Sequence, residues 1–259
     1  MLKNKLIIPK VINKKQAKEF FYKNKMGFLV DEYNSTKKQR SFKPNLLDLY
    51  FLFKIITLNK RLTVLEYGCG WSSLVLSLAL KENEKKYKKN IKTLRKKNKF
   101  ELHVFDNYKS FLNTTKSNMN KYLKGITNTK FIFSKCIMKE YLGNYCSNYE
   151  KKLNINPDLI YLDGPDQFRT LNNKKFNFNT DNHEFMPMNA DILKYEFFLV
   201  PGTIIVIDGR GANSNFLKKM FKRNWSYTYN KLIDQHYFLL NDESFGIHND
   251  KLISFWFKK

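Results

Sequence analysis

The fold of this chain follows from one short stretch, residues 64–73, with the sequence VLEYGCGWSS. An apolar strand ends at Tyr67 and leads into Gly68 and Gly70, and a helix is predicted to begin at Ser72. Glycines two positions apart allow a sharp turn and a close approach of the backbone to a ligand. A helix N-terminus after such a turn favours an anionic group. This order of strand, glycine turn and helix predicts a ligand-binding turn in a parallel α/β fold.

The rest of the chain alternates between apolar strands and helices. The pattern predicts strands at 63–67, 102–105, 131–133, 159–162 and 203–207, and helices at 72–80, 108–123, 188–198 and 214–223. Two further strands, near 225–229 and 236–240, are joined by a short turn and are expected to pair antiparallel. We therefore predict an α/β fold, a Rossmann-like, doubly wound, mostly parallel seven-stranded sheet with an antiparallel C-terminal hairpin.

The N-terminal part is predicted to be a helical extension, residues 1–59, packed on a single globular unit formed by residues 60–259. The extension is expected to contain a surface helix at 13–25, a loop at 32–43 and an apolar helix from Pro44-Asn45 to about Leu58. That last helix is too hydrophobic to stand alone and should pack on a core.

The chain is strongly basic. Its 259 residues contain 47 Lys plus Arg and 23 Asp plus Glu, a formal net charge of +24, which suggests nucleic acid, an anionic membrane surface or an acidic substrate. However, only six of the 47 basic residues are arginine, and Lys, Asn, Ile, Phe and Tyr are abundant, as an AT-rich genome would produce. We favour this second interpretation, because phosphate sites prefer the planar arginine fork. The lysine-rich residues 81–99 are accordingly expected to form a solvated helical excursion.

Cysteine usage and apolar runs indicate the compartment. Cys69, Cys136 and Cys146 have no metal-ligand spacing and leave an odd thiol, which favours a reducing interior. The longest apolar stretches, 46–58 and 197–207, are interrupted and shorter than the roughly 20 residues that span a bilayer. We therefore expect a cytoplasmic protein with no transmembrane segment.

Carboxylates follow most of the predicted strands. Glu66 ends the first strand, and Asp106, Asp163 and Asp208 end three others. Each alone is an ordinary turn residue, but ligands of open parallel sheets bind where the carboxyl ends of the strands meet. A dinucleotide fingerprint fits imperfectly, because Ser73 replaces its third glycine and Glu66 would lie beside a pyrophosphate. An acid at this position suits an ammonium or sulfonium, which points to S-adenosylmethionine.

The ordered set of motifs resembles class I S-adenosylmethionine-dependent methyltransferases over roughly residues 60–240. Glu66-x-Gly68-x-Gly70-x-Ser72 resembles the first motif of that superfamily, with Ser72 in place of a glycine. The segments 157–165 and 199–208 resemble its fourth-strand and fifth-strand motifs. The segments 163–167, 208–210 and 234–236 look like a branch met in bacterial surface-polysaccharide gene clusters.

This resemblance implies methyl transfer and a set of site residues. The cofactor-binding residues would be Glu66, Tyr67, Gly68, Gly70, Ser72, Asp106 and Asp163, with Asp106 on the ribose hydroxyls. The catalytic candidates are Asp163, Asp208 and His236, where His236 would act as a general base or would be a satisfied histidine at a strand edge. Asp163 and Asp208 would also be the ligands of a Mg²⁺ ion, although Gly209 stands where metal-dependent relatives usually add a ligand.

Three functional hypotheses follow. The leading one is methyl transfer to a small molecule, a hydroxyl of a sugar, nucleotide sugar or glycan precursor, and its sugar part depends on family analogy. The second is methylation of RNA, which the charge favours. It is disfavoured because the chain has Asp163-Gly-Pro-Asp166 where amino-methylating enzymes usually have an Asn/Asp-Pro-Pro-aromatic motif. The third is a non-catalytic protein that retains the fold. The loop at 166–189, which contains Arg169 and His183, is long enough to form a lid or an acceptor wall.

Overall fold

The computed structural model describes residues 6–36, 42–125, 128–172, 178–186 and 188–257. Its strands are β1 (Thr63–Tyr67), β2 (Glu101–Asp106), β3 (Thr129–Phe133), β4 (Cys136–Tyr141), β5 (Asn144–Tyr149), β6 (Leu159–Leu162), β7 (Thr170–Leu171), β8 (Ile204–Asp208), β9 (Trp225–Asn230) and β10 (Gln235–Leu240). Its α-helices are α1 (Lys14–Lys23), α2 (Phe28–Asn34), α3 (Leu46–Leu58), α4 (Trp71–Tyr87), α5 (Lys109–Tyr122), α6 (Asp191–Lys194), α7 (Gly211–Met220) and α8 (Ile247–Phe257).

Seven strands form one sheet in the order β3-β2-β1-β6-β8-β10-β9. The pairs among β3, β2, β1, β6 and β8 are parallel, and β10 pairs antiparallel with both β8 and β9. The central strands β1 and β6 are buried along their whole length, because helices or other layers cover both faces of the sheet. This arrangement confirms the predicted fold class, including the C-terminal hairpin.

A second, three-stranded sheet, ordered β5-β4-β7, was absent from the sequence prediction. Leu142 and Gly143 both have positive φ, 49° and 75°, as a tight hairpin turn requires. The two hairpin strands are polar and only half-buried, so they lack the apolar run by which the other strands were identified. Cys136, Cys146 and Tyr149 from this hairpin pack against one face of the main sheet.

The N-terminal helices cover the opposite face. Helix α3 packs on α4, and α1 packs on α3 in turn. The start of the expected loop at 32–43 is wrong, because residues 32–34 belong to α2, whose Leu29 and Val30 are buried against the same core. Residues 37–41 of that loop lie outside the described residues.

The lysine-rich insertion at 81–99 is less solvated than expected, and it is helical only as far as Tyr87. Helix α4 continues to Tyr87, and Ile91 and Leu94 are buried in a small apolar cluster with Trp256 of α8, a helix that was not predicted. The buried Arg61 guanidinium lies 4.8 Å from the Trp256 ring and donates to Gly202 O at 2.8 Å. The insertion is therefore partly core, because its few apolar residues are the ones that pack.

The helix predicted at 188–198 is much shorter in the structure. Residue 187 lies outside the described residues, α6 contains four residues, and a 3₁₀ turn at Glu196–Phe198 follows. The buried Glu196 carboxylate accepts hydrogen bonds from the backbone N–H groups of Lys222 and Arg223, which anchors this turn to the loop after α7. None of the helices in the described part of the chain has the length and apolarity needed to span a bilayer.

Candidate functional site

A cavity of about 440 Å³ lies at the carboxyl ends of β1, β2, β6 and β8. Its walls include Phe42, Asp48, Gly68, Cys69, Gly70, Trp71, Ser72, Asp106, Phe111, Tyr161, Asp163, Asp166, Gln167, Phe168, Asp208 and Arg210. This volume falls within the range of small-molecule sites. The cavity is where the sequence predicted a ligand site, and five carboxylates face it against two cationic side chains, Lys43 and Arg210.

The glycine turn lies directly against the segment that follows β6. Gly68 has a φ of +93°, and a Cβ on it would lie 2.9 Å from the carbonyl carbon of Asp163. Its N–H donates to Phe105 O at 2.8 Å, and Asp163 N–H donates to Tyr67 O at 2.8 Å. A side chain at position 68 would therefore separate the two loops that form the cavity floor.

Glu66 lies behind this turn instead of facing the cavity. Its side chain is fully buried, and it accepts hydrogen bonds from Ser72 Oγ at 2.5 Å and from Ser73 Oγ at 2.6 Å. Burial raises the pKa of Glu66 to about 8, against the effect of the two hydroxyls. Both carboxylate oxygens of Glu66 are therefore bonded to serine hydroxyls in the first turn of α4, and the structure does not bring Glu66 to the cavity wall.

Asp106 ends β2 and faces the cavity beside the glycine turn. Its Oδ1 accepts a hydrogen bond from Tyr108 N–H at 2.7 Å, which fixes the carboxylate. Burial raises its pKa to about 6, partly offset by hydrogen bonds from Tyr108 and Cys69. Asp106 thus lies on the same wall as Gly68 and Gly70, as the sequence predicted.

Asp163 and Asp208 follow paired positions of neighbouring parallel strands, since Leu162 lies opposite Ile207. Although 46% of the Asp163 side chain is exposed, desolvation by the cavity walls and the charge of Asp208 raise its pKa to about 7. Arg210 Nε lies 3.9 Å from Asp163 Oδ1 and lowers that pKa in part. The structure therefore brings the two predicted carboxylates together with one guanidinium beside them.

Two uncharged side chains form hydrogen bonds to the Asp208 carboxylate. Gln235 Nε2 donates to its Oδ1 at 3.2 Å, and the Tyr161 hydroxyl also bonds to the carboxylate. Desolvation nevertheless raises the pKa of Asp208. Gln235 and Tyr161 lie in the segments 234–236 and 157–165 that the sequence singled out, but neither was assigned a role at the site.

Asp48 is a further site residue that sequence reasoning missed. It lies in the first turn of α3 and is 8% exposed, and its Oδ1 has no hydrogen-bond partner within the described part of the chain. Burial, followed by the charges of Asp208 and Asp163, raises its pKa to about 8. A buried carboxylate in an otherwise apolar helix is costly, and that interruption was the available signal.

Tyr67 and His236 do not line the cavity. The Tyr67 hydroxyl lies 2.9 Å from the Tyr195 hydroxyl on the other face of the sheet. His236 Nδ1 lies 2.8 Å from the Tyr227 hydroxyl, its ring stacks on Tyr229, and burial lowers its pKa. His236 is thus a histidine satisfied within the C-terminal hairpin, and the general-base expectation for it is not supported by its position.

Residues 166–168, at the start of the 166–189 loop, line the cavity. Asn107 and Asp166 exchange two side-chain-to-backbone hydrogen bonds, at 3.0 and 2.9 Å, which join the segments after β2 and β6. The Phe168 ring lies 4.9 Å from the ring of His183 and lines the cavity. The loop therefore forms a wall here, while its residues 173–177 lie outside the described residues.

The carboxylates of the described residues do not form a complete metal site. Within the described ranges, no group of three or more His, Cys, Asp or Glu residues could hold a metal ion. Asp163 and Asp208 remain a pair of oxygen donors, with the Arg210 cation beside Asp163. Cys69, Cys136 and Cys146 are free thiols.

Comparison with known proteins gives only distant likenesses of fold. No protein-family model matches the chain, and no curated protein matches it. Among solved structures, it is similar to the SAH-bound methyltransferase PaMTH1 of Podospora anserina, with 14% identity, 91% of this chain and 99% of that chain covered, and a TM-score of 0.48. It is also similar to the SAH-bound O-methyltransferase of Bacillus cereus, with 12% identity, coverages of 93% and 95%, and a TM-score of 0.43. Because these identities and TM-scores are low, neither the fold nor the function of this chain is inferred from the two structures.

Proposed function

We propose that this chain is an S-adenosylmethionine-dependent methyltransferase that acts on a small-molecule acceptor. The observation that carries the proposal is the acidic cavity at the carboxyl ends of β1, β2, β6 and β8, where the Gly68 turn, Asp106, Asp163 and Asp208 meet. Open parallel sheets bind their ligands at this edge. A class I methyltransferase assignment accounts for the position of each of these residues.

The residues present fit S-adenosylmethionine. The glycine turn leaves room for close approach, and the fixed Asp106 carboxylate can accept hydrogen bonds from two ribose hydroxyls. The acidic excess in the cavity suits a cationic ligand better than a pyrophosphate. The bound cofactor would supply an activated methyl group on its sulfonium, and Gly68, Gly70, Ser72 and Asp106 would hold it.

Within this proposal, the acceptor is a hydroxyl of a small molecule such as a sugar or nucleotide sugar. We assign Asp163 to take the proton from it, and a pKa of about 7, which lets the carboxyl hold or accept a proton near neutrality, supports this assignment. Asp208, fixed by Gln235, would orient the acceptor through a further hydrogen bond. The aromatic rings of Phe42 and Phe168 flank the mouth and would exclude water.

The residues present do not fit a Mg²⁺ ion. Two neighbouring carboxylates are fewer oxygen donors than a dedicated cation site needs, and the guanidinium of Arg210 already lies within ion-pair distance of Asp163. Charge stabilisation in the cavity therefore falls to Arg210, whose Nη2 donates to Pro165 O at 2.8 Å and so fixes the guanidinium.

Titration calorimetry with S-adenosylmethionine and S-adenosylhomocysteine tests the proposal. We expect binding by the intact chain and a loss of about 10- to 100-fold in affinity for Asp106→Asn, as expected when hydrogen bonds to a charged group are lost. Asp250→Asn, on the exposed face of α8, is the matched control and should bind as the original chain does. Absence of binding, or equal affinity of both variants, would overturn the proposal.

Methyl transfer is then measured with labelled cofactor against a panel of sugars and nucleotide sugars. We expect Asp163→Asn to abolish transfer while leaving cofactor affinity within about threefold, because the residue is assigned to the acceptor's proton. If Asp163→Asn retains full transfer at every pH, the acceptor role assigned to this carboxylate is wrong.

A further inference from the structure

A second cavity, of about 790 Å³, lies on one face of the same sheet. Its walls include Asn98, Asn156 and Val200, from the segments before β2, β6 and β8, and its floor extends along β1 as far as Tyr67. The candidate methyltransferase site lies at the carboxyl ends of the parallel strands. The two cavities have no lining residue in common, and nothing in the proposed function uses the second one.

The floor of this second cavity is apolar. Leu65 and Phe105 from the sheet and Leu199 from the segment before β8 line it, and each is at most 3% exposed. The covering segment, residues 151–156, contains no helix or strand in the structure and contributes only Leu153 and Ile155 as apolar groups. Protein interiors seldom leave apolar space of this size unfilled, which indicates room for a ligand with an apolar body.

A pair of tyrosines provides polar atoms inside the cavity. The hydroxyls of Tyr67 and Tyr195 lie 2.9 Å apart, so one donates to the other and the second proton is left for a further acceptor. Burial raises the pKa of both phenols, which keeps them protonated and able to donate. A ligand with an acceptor oxygen is suited to this pair.

Cationic side chains surround the opening. Lys96 and Lys152 are paired with Asp158 and Asp191, respectively. The lining also includes Arg95, Lys97, Lys151 and Lys194, and it contains no carboxylate among the described residues. Desolvation and the nearby charge of Lys152 lower the pKa of Lys194, as expected where positive charge is in excess. This rim would attract an anionic group.

An exposed aromatic ring, Phe198, lies at the same opening, and its neighbour Phe197 is also exposed. Phe197 and Phe198 are 66% and 77% exposed, and Phe198 lines the cavity. Asn156 Nδ2 donates to Phe198 O at 2.7 Å, which holds this turn beside the 151–156 segment. Exposed phenylalanines next to an apolar cavity mark a binding surface more often than isolated exposed residues do.

From the apolar floor, the tyrosine pair and the cationic rim, we propose that this cavity binds an anionic amphiphile, a molecule with an alkyl or acyl body and a carboxylate or phosphate head. The apolar body lies against Leu65, Phe105 and Leu153. The head lies at the rim, near Lys97 and Lys151. The proposed occupant is one amphiphile molecule, taken up from solution and bound inside the cavity.

Calorimetry of the full chain with dodecyl phosphate, kept below its micelle concentration, tests this. We expect saturable binding with one molecule per chain, at least tenfold tighter than dodecanol or dodecyltrimethylammonium. The double variant Lys97→Glu/Lys151→Glu should weaken binding at least tenfold, and Leu153→Asp should weaken it similarly. The matched control, Lys85→Glu/Lys219→Glu, changes the same charge on exposed faces of α4 and α7 and should bind as the original chain does.

The outcomes separate the alternatives. Equal binding of the anionic and cationic amphiphiles, or equal weakening in the rim and control variants, would overturn the proposal. So would binding to phosphatidylglycerol vesicles without binding of monomeric dodecyl phosphate, since that would indicate a membrane surface. The affinity for S-adenosylmethionine should remain unchanged in the rim variant, so failure at one cavity is distinguishable from failure at the other.

Discussion

Arg210 Nε lies 3.9 Å from Asp163 Oδ1, which places the guanidinium beside a carboxyl whose pKa is raised to about 7. The cation favours the ionised carboxylate and so keeps this pKa from rising further. We expect Arg210→Met to raise the pKa of Asp163 by about one unit. The measurement is a ¹³C NMR titration of labelled aspartate side chains, with Asp163→Asn to assign the resonance.

Arg95→Met is the control for this titration. Arg95 is an exposed arginine that lines the second cavity, which shares no lining residue with the site, so its removal changes the net charge equally without touching the site. An unchanged Asp163 titration in Arg210→Met, or an equal shift in both variants, would contradict a local effect of the guanidinium.

The buried carboxyls of the site make the stability of the unliganded chain pH-dependent. The pKa values of Asp48 and Glu66 are raised to about 8, and that of Asp106 to about 6, mainly by burial. Each of these carboxyls has a higher pKa in the folded chain than in the unfolded chain. Between those two pKa values, the carboxyl is protonated in the folded chain and ionised in the unfolded chain. The free energy of unfolding therefore falls as pH rises from about 4 to about 8.

We expect the melting temperature of the ligand-free chain to fall between pH 5 and pH 8, as measured by scanning calorimetry. Asp48→Asn should flatten this fall and raise the free energy of unfolding at pH 8 by about 1–2 kcal/mol, because it removes one of the ionisations. Asp250→Asn on α8 should retain the full slope. A melting temperature that rises over this range would contradict the buried acidic cluster.

Close contact between two loops makes Gly164 sensitive to substitution. A Cβ on Gly164 would lie 2.5 Å from Gly68 N and 2.8 Å from Gly68 Cα, which are backbone atoms that cannot move aside alone. We expect Gly164→Ala to lower the free energy of unfolding by about 2–4 kcal/mol, as for other overpacked sites. A Cβ on Gly211 would meet nothing within 4 Å, so Gly211→Ala should change it by about 0.5 kcal/mol or less.

Urea unfolding of the two glycine variants measures this difference. Gly164→Ala should also weaken S-adenosylmethionine binding, because the displaced Gly68 turn forms part of the proposed cofactor wall. If the alanine at position 164 is tolerated as well as the one at 211, the two loops are not in the contact described.

The sequence was sufficient for the parallel core and for the acids at its edge. Strands β1, β6 and β8 are short apolar runs before a turn, and Asp163 follows β6 directly while Asp208 is the last residue of β8. Their proximity follows from the parallel pairing of adjacent strands, so it requires no knowledge of long-range packing. The β4–β5 hairpin was missed because its half-buried strands alternate polar and apolar residues only weakly.

The errors at the site have two physical causes. Gln235 pairs with Asp208, and its neighbour His236 points to the opposite face of β10, so a one-residue alternation separates a site residue from a bystander. On β1 the same alternation directs the adjacent side chains of Glu66 and Tyr67 to opposite faces of the sheet. Asp48 was missed for another reason, because its place beside Asp208 depends on how α3 packs on the sheet, which no local pattern encodes.

Two serines of α4 form hydrogen bonds to the sheet, and these bonds offer a test of a positioning role for Glu66. Ser73 Oγ donates to the buried Glu66 Oε2 at 2.6 Å, whereas Ser77, one turn further along, bonds at 2.6 Å to the uncharged Thr129 hydroxyl. Loss of the Ser73 hydroxyl leaves a buried carboxylate oxygen without that donor. We expect Ser73→Ala to cost about 1–3 kcal/mol of unfolding free energy, against about 0.5–1.5 kcal/mol for Ser77→Ala.

The difference between these two variants should depend on pH. The pKa of Glu66 is raised to about 8 and the Ser73 hydroxyl lowers it, so the hydroxyl stabilises mainly the ionised form. The extra cost of Ser73→Ala should therefore grow between pH 6 and pH 9, while that of Ser77→Ala stays constant in the same urea titrations. Equal costs at every pH would show that Glu66 does not depend on this hydroxyl, and the support of the glycine turn would then have to come from Ser72 alone.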